Sequence, residues 1–205
     1  MNPKRLLVIL VLALVLPAKG ADQRKPAPDR KVFGMLLGGR FTLGECPTDK
    51  RGRYDKYKSE GPCFTFLGRE KKGETLEQNP KIVIEFPILQ DLAPSRSSTI
   101  LATVLNGRLE AISMSTHGVR TVDRDLKILT AKYGEPHQLQ RRTVQTAGDG
   151  TFEAVSAFWV FEDLAVTYES AFGRLDLGLI MIDTPQGESW KAEQTEKTKA
   201  EKIPL

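Results

Sequence analysis

The alternation of apolar and polar residues predicts several strands. In residues 81–89, isoleucine or phenylalanine occupies every second position from 82 to 88, which predicts a half-buried strand, and Pro87 indicates a sheet edge. Residues 99–114 form the clearest hairpin pattern, because Asn106-Gly107 suits the positive φ angles of a type I′ turn. Further strands are predicted at 63–67, 155–161, 164–169 and 175–182.

Two segments have helical spacing. In residues 121–133, apolar side chains recur at intervals of three and four, Thr121 is expected to cap the start, and Gly134 suits the stop. Residues 29–39 predict a shorter helix that begins at Asp29 and ends at the glycine pair 38–39. Its buried face would carry Phe33, Leu36 and Leu37.

These elements predict an α+β protein, with an antiparallel sheet and helices on one face. Residues 107–116 and 173–184 both begin Gly-Arg-Leu and continue as apolar strands. We interpret this as two diverged helix-plus-three-strand units, with halves at 29–118 and 119–186. Chance similarity remains the alternative, because hairpin strands often begin in this way.

The ends of the chain differ from its middle. Basic residues, an apolar run of 11 residues at 6–16 and small residues near Gly20 predict a signal peptide over residues 1–20, cut after Gly20. The product would be periplasmic or secreted. Residues 21–28 are predicted to be a flexible lead-in and 29–186 a single domain. The charged tail, 187–205, is expected to be disordered, with Trp190 alone docking its start.

Charge excludes one class of function. The chain has 30 basic and 26 acidic residues. The predicted leader contains three of the basic residues and no acidic one, so 27 and 26 remain after cleavage. Such a balanced chain lacks the basic excess of a nucleic-acid-binding protein.

Cys46 and Cys63 are the two cysteines of the chain. In an oxidising compartment they are expected to form a disulfide, which closes a loop that the chain-entropy model credits with about 3 kcal/mol. Two free thiols, or half of a metal site, are the alternative. A zinc site would need further Cys or His ligands at short spacing, so no metal or other cofactor is predicted.

The loop between the cysteines is the strongest candidate for recognition. It combines basic and aromatic side chains of the kinds enriched at binding hot spots, and its tethered ends lower the cost of ordering it. The expected partner is an envelope or secreted protein, or an anionic envelope component. A solvated loop without a partner is the alternative. The candidate partner-binding residues are Arg51, Arg53, Tyr54, Lys56 and Tyr57.

No catalytic residue set is predicted. The chain lacks the Gly-x-Ser-x-Gly motif of many hydrolases, and its carboxylate pairs, Glu162-Asp163 and Asp123/Asp125, suit a turn and a helix start. Its two histidines, His117 and His137, lie at element boundaries, as solvated loop residues often do. A hydrolase or carbohydrate-active enzyme that uses either histidine with a carboxylate is the rival hypothesis.

Several short motifs carry a family resemblance. They include Gly44-Glu45-Cys46-Pro47, Cys63-Phe64, and Lys132-Tyr133-Gly134-Glu135-Pro136. Across residues 33–184 the chain resembles a group of small exported proteobacterial proteins of unknown function. The order of elements more loosely resembles beta-lactamase inhibitor proteins and the small lipoprotein of the outer-membrane assembly machine, although the lipidated cysteine is missing.

The resemblance to these families implies protein binding. The function expected from the sequence is therefore that of an exported, non-catalytic binding or inhibitor module. A carrier that holds a small apolar ligand between helix and sheet is a further alternative. A groove on the open sheet face, lined by Phe158 and Tyr168, is another candidate surface.

Overall fold

In the computed structural model, the fold is a large antiparallel sheet with two helices and a small hairpin. The structure describes residues 24–48, 60–67, 75–78, 80–87, 92–145 and 150–201. The α+β class and the antiparallel sheet predicted from the sequence are confirmed. The small hairpin pairs β1 (Lys31–Val32) with β2 (Met35–Leu36).

The large sheet has eight strands, and the chain passes through it in two four-stranded meanders. The strands are β3 (Cys63–Phe66), β4 (Lys81–Glu85), β5 (Thr99–Leu105), β6 (Arg108–Thr116), β7 (Gln138–Gln145), β8 (Thr151–Val160), β9 (Ala165–Arg174) and β10 (Leu177–Asp183). Their order is β3-β4-β5-β6-β10-β9-β8-β7, so β3 and β7 are the outer strands. The two meanders meet at the centre, where β6 pairs with β10.

One face of this sheet carries the hydrophobic core. The register places Ala102 of β5, Ile112 of β6 and Ile182 of β10 side by side on that face, and all three are buried. Helix α1 (Val122–Tyr133) covers this face and contributes Leu129 and Tyr133 to the core. Burial of this apolar stripe, rather than helix propensity, supplies most of the stability of such a helix.

The best local signals of the sequence are confirmed. Asn106 and Gly107 turn the β5–β6 hairpin with φ angles of 52° and 71°. Helix α1 ends at Gly134, where φ is 79° and the backbone N–H donates to Thr130 O. Thr121 precedes α1 as predicted but does not cap it, because its hydroxyl donates instead to the Asp125 carboxylate, at 2.7 Å.

The predicted helix at residues 29–39 is wrong. Phe33 and Gly34, with φ angles of 50° and 84°, turn the chain into the β1–β2 hairpin. Leu37 is buried as predicted, but Leu36 is 42% exposed. The apolar spacing therefore matched a helix by coincidence, and the Phe-Gly turn determined the local structure.

Two further predictions differ from the structure. β4 lies between β3 and β5 rather than at an edge, and Pro87 is tolerated because it follows the end of the strand. The tail expected to be disordered contains helix α2 (Pro185–Glu201). α2 lies along the second face of the sheet, opposite α1, so the two helices are not on one face.

The two meanders correspond at their last hairpins, β5–β6 and β9–β10. Gly107 and Gly173, each followed by Arg-Leu, both have positive φ angles, 71° and 70°. Each meander has four strands rather than the predicted three. The halves differ in what precedes the meander, which is the β1–β2 hairpin in the first and α1 in the second. A shared origin of the halves remains a prediction.

Candidate functional site

A cleft of about 580 Å³ separates α2 from the second face of the sheet. Its floor spans four adjacent strands and includes Leu101, Ser113 and Met181, whose side chains alternate with the core residues of the same strands. Leu67, directly after β3, completes the floor. The wall is one face of α2: Trp190, Lys191, Gln194, Thr195, Thr198 and Lys199.

The first turn of α2 fixes the helix against β6. Thr184 occupies the N-cap position, where its hydroxyl accepts a hydrogen bond from the Gly187 N–H at 3.2 Å and donates one to the buried carboxylate of Glu110. Pro185 begins the helix, where no backbone donor is needed. Gly187 lies so close to the Glu110 carbonyl that any Cβ there would collide with it.

An ion pair joins the start of α2 to the end of β10. Lys191 Nζ lies 2.6 Å from Asp183 Oδ1, and the Asp183 side chain is largely buried. Burial raises the pKa of the Asp183 carboxyl, and the hydrogen bond and charge of Lys191 oppose that rise. Burial, followed by the charge of Asp183, also raises the pKa of Glu188. Of these two acidic groups, Asp183 is buried and Glu188 is exposed.

Trp190 is the aromatic residue of the α2 wall. Lys81 Nζ lies 5.4 Å from the centre of its ring, which is a cation–π distance. A smaller cavity of about 280 Å³, lined by Leu76, Pro80 and Val104 among others, also borders Trp190. Trp190 thus holds the start of α2 to the first meander, as the sequence predicted, and lines both cavities.

The two walls of the cleft differ in polarity. Leu67 and Leu101 are 44% and 45% exposed, which is unusual for side chains on a covered sheet face. The facing residues of α2 are polar apart from Trp190. Packing the helix directly onto the leucines would bury amide, hydroxyl and ammonium groups without partners, at a cost of about 1–3 kcal/mol each. The mismatch accounts for the open volume between helix and sheet.

The predicted recognition loop is described only at its base. Arg51, Arg53, Tyr54, Lys56 and Tyr57 lie outside the described residues. The predicted disulfide between Cys46 and Cys63 is confirmed. It joins the start of β3 to a segment that pairs with that strand, since the Cys46 N–H donates to Phe64 O at 2.8 Å.

Neither histidine is buried. His117 and His137 are both exposed, and His137 Nδ1 accepts a hydrogen bond from the Val160 N–H at 3.0 Å. The His137 ring also packs edge-on against Phe161. In the part of the chain that the structure describes, neither imidazole contacts a carboxylate. Their arrangement does not form the acid–base pair that the enzyme hypothesis needs.

The carboxylate pairs have structural partners. Asp163 accepts a hydrogen bond from the Ala27 N–H at 2.7 Å and lies 3.4 Å from Arg30 Nη1. Asp125 lies in the first turn of α1, as the sequence indicated, and is fully buried on the inner side of that helix. Its carboxylate accepts hydrogen bonds from the Thr121 hydroxyl and the Arg124 guanidinium and lies 3.5 Å from the Tyr168 hydroxyl.

The predicted groove lined by Phe158 and Tyr168 does not form. Tyr168 is fully buried on the core face, where it pairs in register with Ala157. Phe158 comes next in β8, so its side chain points to the opposite face. The burial, followed by the charge of Asp125, raises the pKa of Tyr168 well above its ordinary value.

The start of α2 has a sequence signal of its own. Thr184-Pro185, with Glu188 in the first turn, is a typical helix N-terminus. What the sequence could not supply is the face on which the helix lies. The apolar pattern does not indicate which side of α2 faces the sheet, because the helix is polar on nearly all sides.

Comparison of the chain with protein families, with curated proteins and with solved structures found no match. Within the described ranges, no group of three or more Cys, His, Asp or Glu side chains is placed to hold a metal ion. None of the helices that the structure describes is long and apolar enough to cross a membrane.

Proposed function

We propose that this protein is an exported, non-catalytic binding protein whose cleft between α2 and the sheet holds one elongated amphipathic anion. The ligand would have an acyl chain and a carboxylate or phosphate head. The observation that carries the proposal is the polarity mismatch across the cleft: exposed leucines on the sheet face polar side chains on the helix. An amphipathic molecule has the chemistry to satisfy both walls.

The size of the cleft supports a small ligand. Pockets for small molecules typically measure about 300–1,000 Å³ and combine an apolar lining with a few polar groups, and the volume of about 580 Å³ lies in this range. The apolar lining residues Leu67, Leu101 and Met181 form a band across the strands, with Ser113 of β6 between the last two. An acyl chain laid along this band would remove the two exposed leucines from water.

The charges at the cleft favour an anionic head. Its charged lining residues are Lys81, Lys191 and Lys199, with no carboxylate among the lining residues. Lys191 is neutralised by Asp183, and Lys199 pairs with Glu196. Lys81 has no acidic partner among the described residues, so its ammonium group is the one we assign to the ligand head.

Export and the lack of catalysis belong to the proposal as well. The apolar leader and the Cys46–Cys63 disulfide support an oxidising compartment outside the cytoplasm. The exposed histidines and the structural use of Asp125 and Asp163 support a binding role rather than acid–base chemistry.

A titration with palmitate tests the cleft. Purified protein would be titrated with palmitate and, separately, with hexadecanol, with the change in Trp fluorescence and native mass spectrometry as readouts. We expect one palmitate per chain and weaker binding of hexadecanol, which lacks the anionic head. Lys81→Gln should remove most of this difference between the two ligands.

A matched pair of variants locates the site. Leu101→Glu places a charge on the cleft floor, whereas Leu139→Glu changes an equally exposed leucine on β7 (45% and 44% exposed). We expect Leu101→Glu to abolish palmitate binding and Leu139→Glu to leave it unchanged. Equal binding by both variants, or no binding by the unmodified protein, would refute the cleft as the site.

Recognition of another protein through the disulfide loop is a second candidate function. The observation that favours it is the disulfide, which anchors the base of the loop to β3. Replacing Arg51, Arg53, Tyr54 and Tyr57 with alanine should remove any partner found by crosslinking in the native envelope and mass spectrometry. Replacing the exposed Arg120 and Lys127 with alanine serves as the control. If the same partner is captured by both variants, the loop has no part in its recognition.

A further inference from the structure

The two outer strands of the sheet are protected differently. β3 is short, and the preceding chain pairs alongside it: the Phe64 N–H donates to Gly44 O at 3.0 Å, and Glu45 forms a parallel bridge with Phe64. The disulfide at Cys46 fixes this cover in place. Among the described residues, no segment pairs with the outer side of β7. One edge of the sheet is closed by its own chain, and the other is open.

Apart from its two arginines, β7 lacks the usual devices that protect an exposed edge. Proteins commonly shorten such strands, interrupt them with bulges, or place proline in them. All eight residues of β7 instead pair with β8 in unbroken register, and none of the eight is proline. Since an antiparallel ladder uses the backbone groups of alternate residues, the remaining N–H and C=O groups point outward.

The side chains of β7 also remain uncovered. Not one of its eight residues is buried, so neither face of the strand contributes to the core. Leu139 on β7, Phe152 on β8 and Phe172 on β9 are 44%, 43% and 52% exposed, but they lie apart, since Phe152 pairs with Val144 at the other end of β7 from Leu139. β7 is therefore an uncovered edge whose backbone groups and charged side chains, rather than an apolar patch, are accessible to a partner.

The charge of β7 indicates which partner fits. The strand carries Arg141 and Arg142 and no acidic residue. Arg141 pairs with Glu153 on β8, whereas Arg142 is exposed and has no ion pair in the described part of the structure. A second copy of the strand, added antiparallel, would bring arginines next to arginines, which is unfavourable. An acidic strand would meet the opposite charge.

We propose that the outer edge of β7 binds an extended, acidic segment of a partner protein by β-strand addition. Backbone hydrogen bonds to β7 would supply affinity, and carboxylates facing Arg142 would supply selectivity. Leu139 would contact an apolar side chain of the added strand. This surface is independent of the cleft, so each site is tested without the other.

Synthetic peptides provide the test. Three labelled eight-residue peptides, matched to the length of β7, would be compared by fluorescence anisotropy: one alternating valine and glutamate, one with lysine in place of glutamate, and one acidic peptide with two adjacent central amides N-methylated. We expect the acidic peptide to bind and the lysine peptide not to bind. N-methylation should weaken binding by about tenfold or more, because it removes backbone hydrogen bonds. Hydrogen exchange should show new protection confined to β7.

Protein variants complete the design. Arg142→Glu should weaken binding of the acidic peptide by about fivefold or more, and Lys127→Glu, the same charge change on α1, should leave it unchanged. The proposal fails if the acidic and lysine peptides bind alike, if no peptide protects β7, or if β7 is protected in the free protein at high concentration by a dimer. Palmitate binding is unaffected by any of these outcomes.

Discussion

The two faces of the sheet are both covered by a helix, but the two covers work differently. α1 presents apolar side chains, and Leu129 and Tyr133 are almost fully buried against the core face. α2 presents polar side chains to exposed leucines and leaves a cavity of about 580 Å³. The comparison shows that a helix can be held at one end, without apolar packing along the rest of its length. α2 depends on its capped first turn, one ion pair and one tryptophan.

The same comparison separates stability from binding. Core-face residues become buried when the chain folds, so their burial contributes to the free energy of unfolding. On the second face, Leu67, Leu101 and Met181 remain partly exposed, so a ligand could still bury part of their apolar surface. Substitutions on the two faces should therefore affect different measurements.

Neighbouring residues of β10 provide the sharpest test of this difference. Ile182 is buried on the core face, whereas Met181 lines the cleft. Ile182→Ala should lower the free energy of unfolding by about 2–5 kcal/mol, because it leaves a cavity in the core. Met181→Ala should lower it by less than about 1 kcal/mol and weaken palmitate binding instead. Urea denaturation checks both values, and equal losses of stability would show that the second face is packed like the first.

Removal of Asp125 tests how α1 is held. Asp125→Ala would leave the buried Tyr168 hydroxyl without its carboxylate and free the Thr121 hydroxyl, so we expect a loss of about 1–3 kcal/mol in urea denaturation. The Tyr168 pKa should fall only in part, since burial is its main cause. Asp123→Ala, on the exposed side of the same turn, is the control and should cost less than about 0.5 kcal/mol. Similar losses of stability in the two variants would show that the buried Asp125 carboxylate does not hold α1 in place.

The smallest effect concerns pH and the start of α2. Burial raises the pKa of Asp183 above its ordinary value of 3.8, so the folded state binds this proton more readily than the unfolded state. The contribution of Asp183 to the free energy of unfolding is therefore fully present below pH 3.8 and is lost as the pH rises through its folded pKa.

Asp183→Asn should remove this dependence. We expect the gain in stability on acidification from pH 7 to pH 4 to shrink by less than about 1 kcal/mol, and Asp123→Asn to leave it unchanged. Urea denaturation at pH 7, 5 and 4 provides the measurement. A larger gain in stability on acidification in the Asp183→Asn protein than in the unmodified one would contradict a raised pKa for Asp183.

The elements that the sequence predicted well are those with local signals. The β5–β6 hairpin follows from Asn106-Gly107, and the end of α1 follows from Gly134, because each position needs a positive φ angle. The disulfide also needed no tertiary information, since the chain contains two cysteines. Local chemistry was sufficient in these cases.

The elements that were missed depend on distant partners. β7 has no apolar alternation, and its extended conformation comes from pairing with β8. Residues 29–39 had helical spacing, yet the Phe33-Gly34 turn made them a hairpin. The cleft could not be predicted, because Leu67, Leu101 and Trp190 are brought together only by the order of strands and the path of α2.

The attachment of α2 at one end has a consequence for ligand selection. Thr184, Gly187, Trp190 and Lys191 fix the start of α2 to the sheet, whereas the turns after Lys191 face the sheet across the cleft. A slight tilt about that start would widen or narrow the cleft without disturbing a single strand pair. Acyl chains of different lengths would then fit the same site, so that discrimination among them rests on the head group near Lys81.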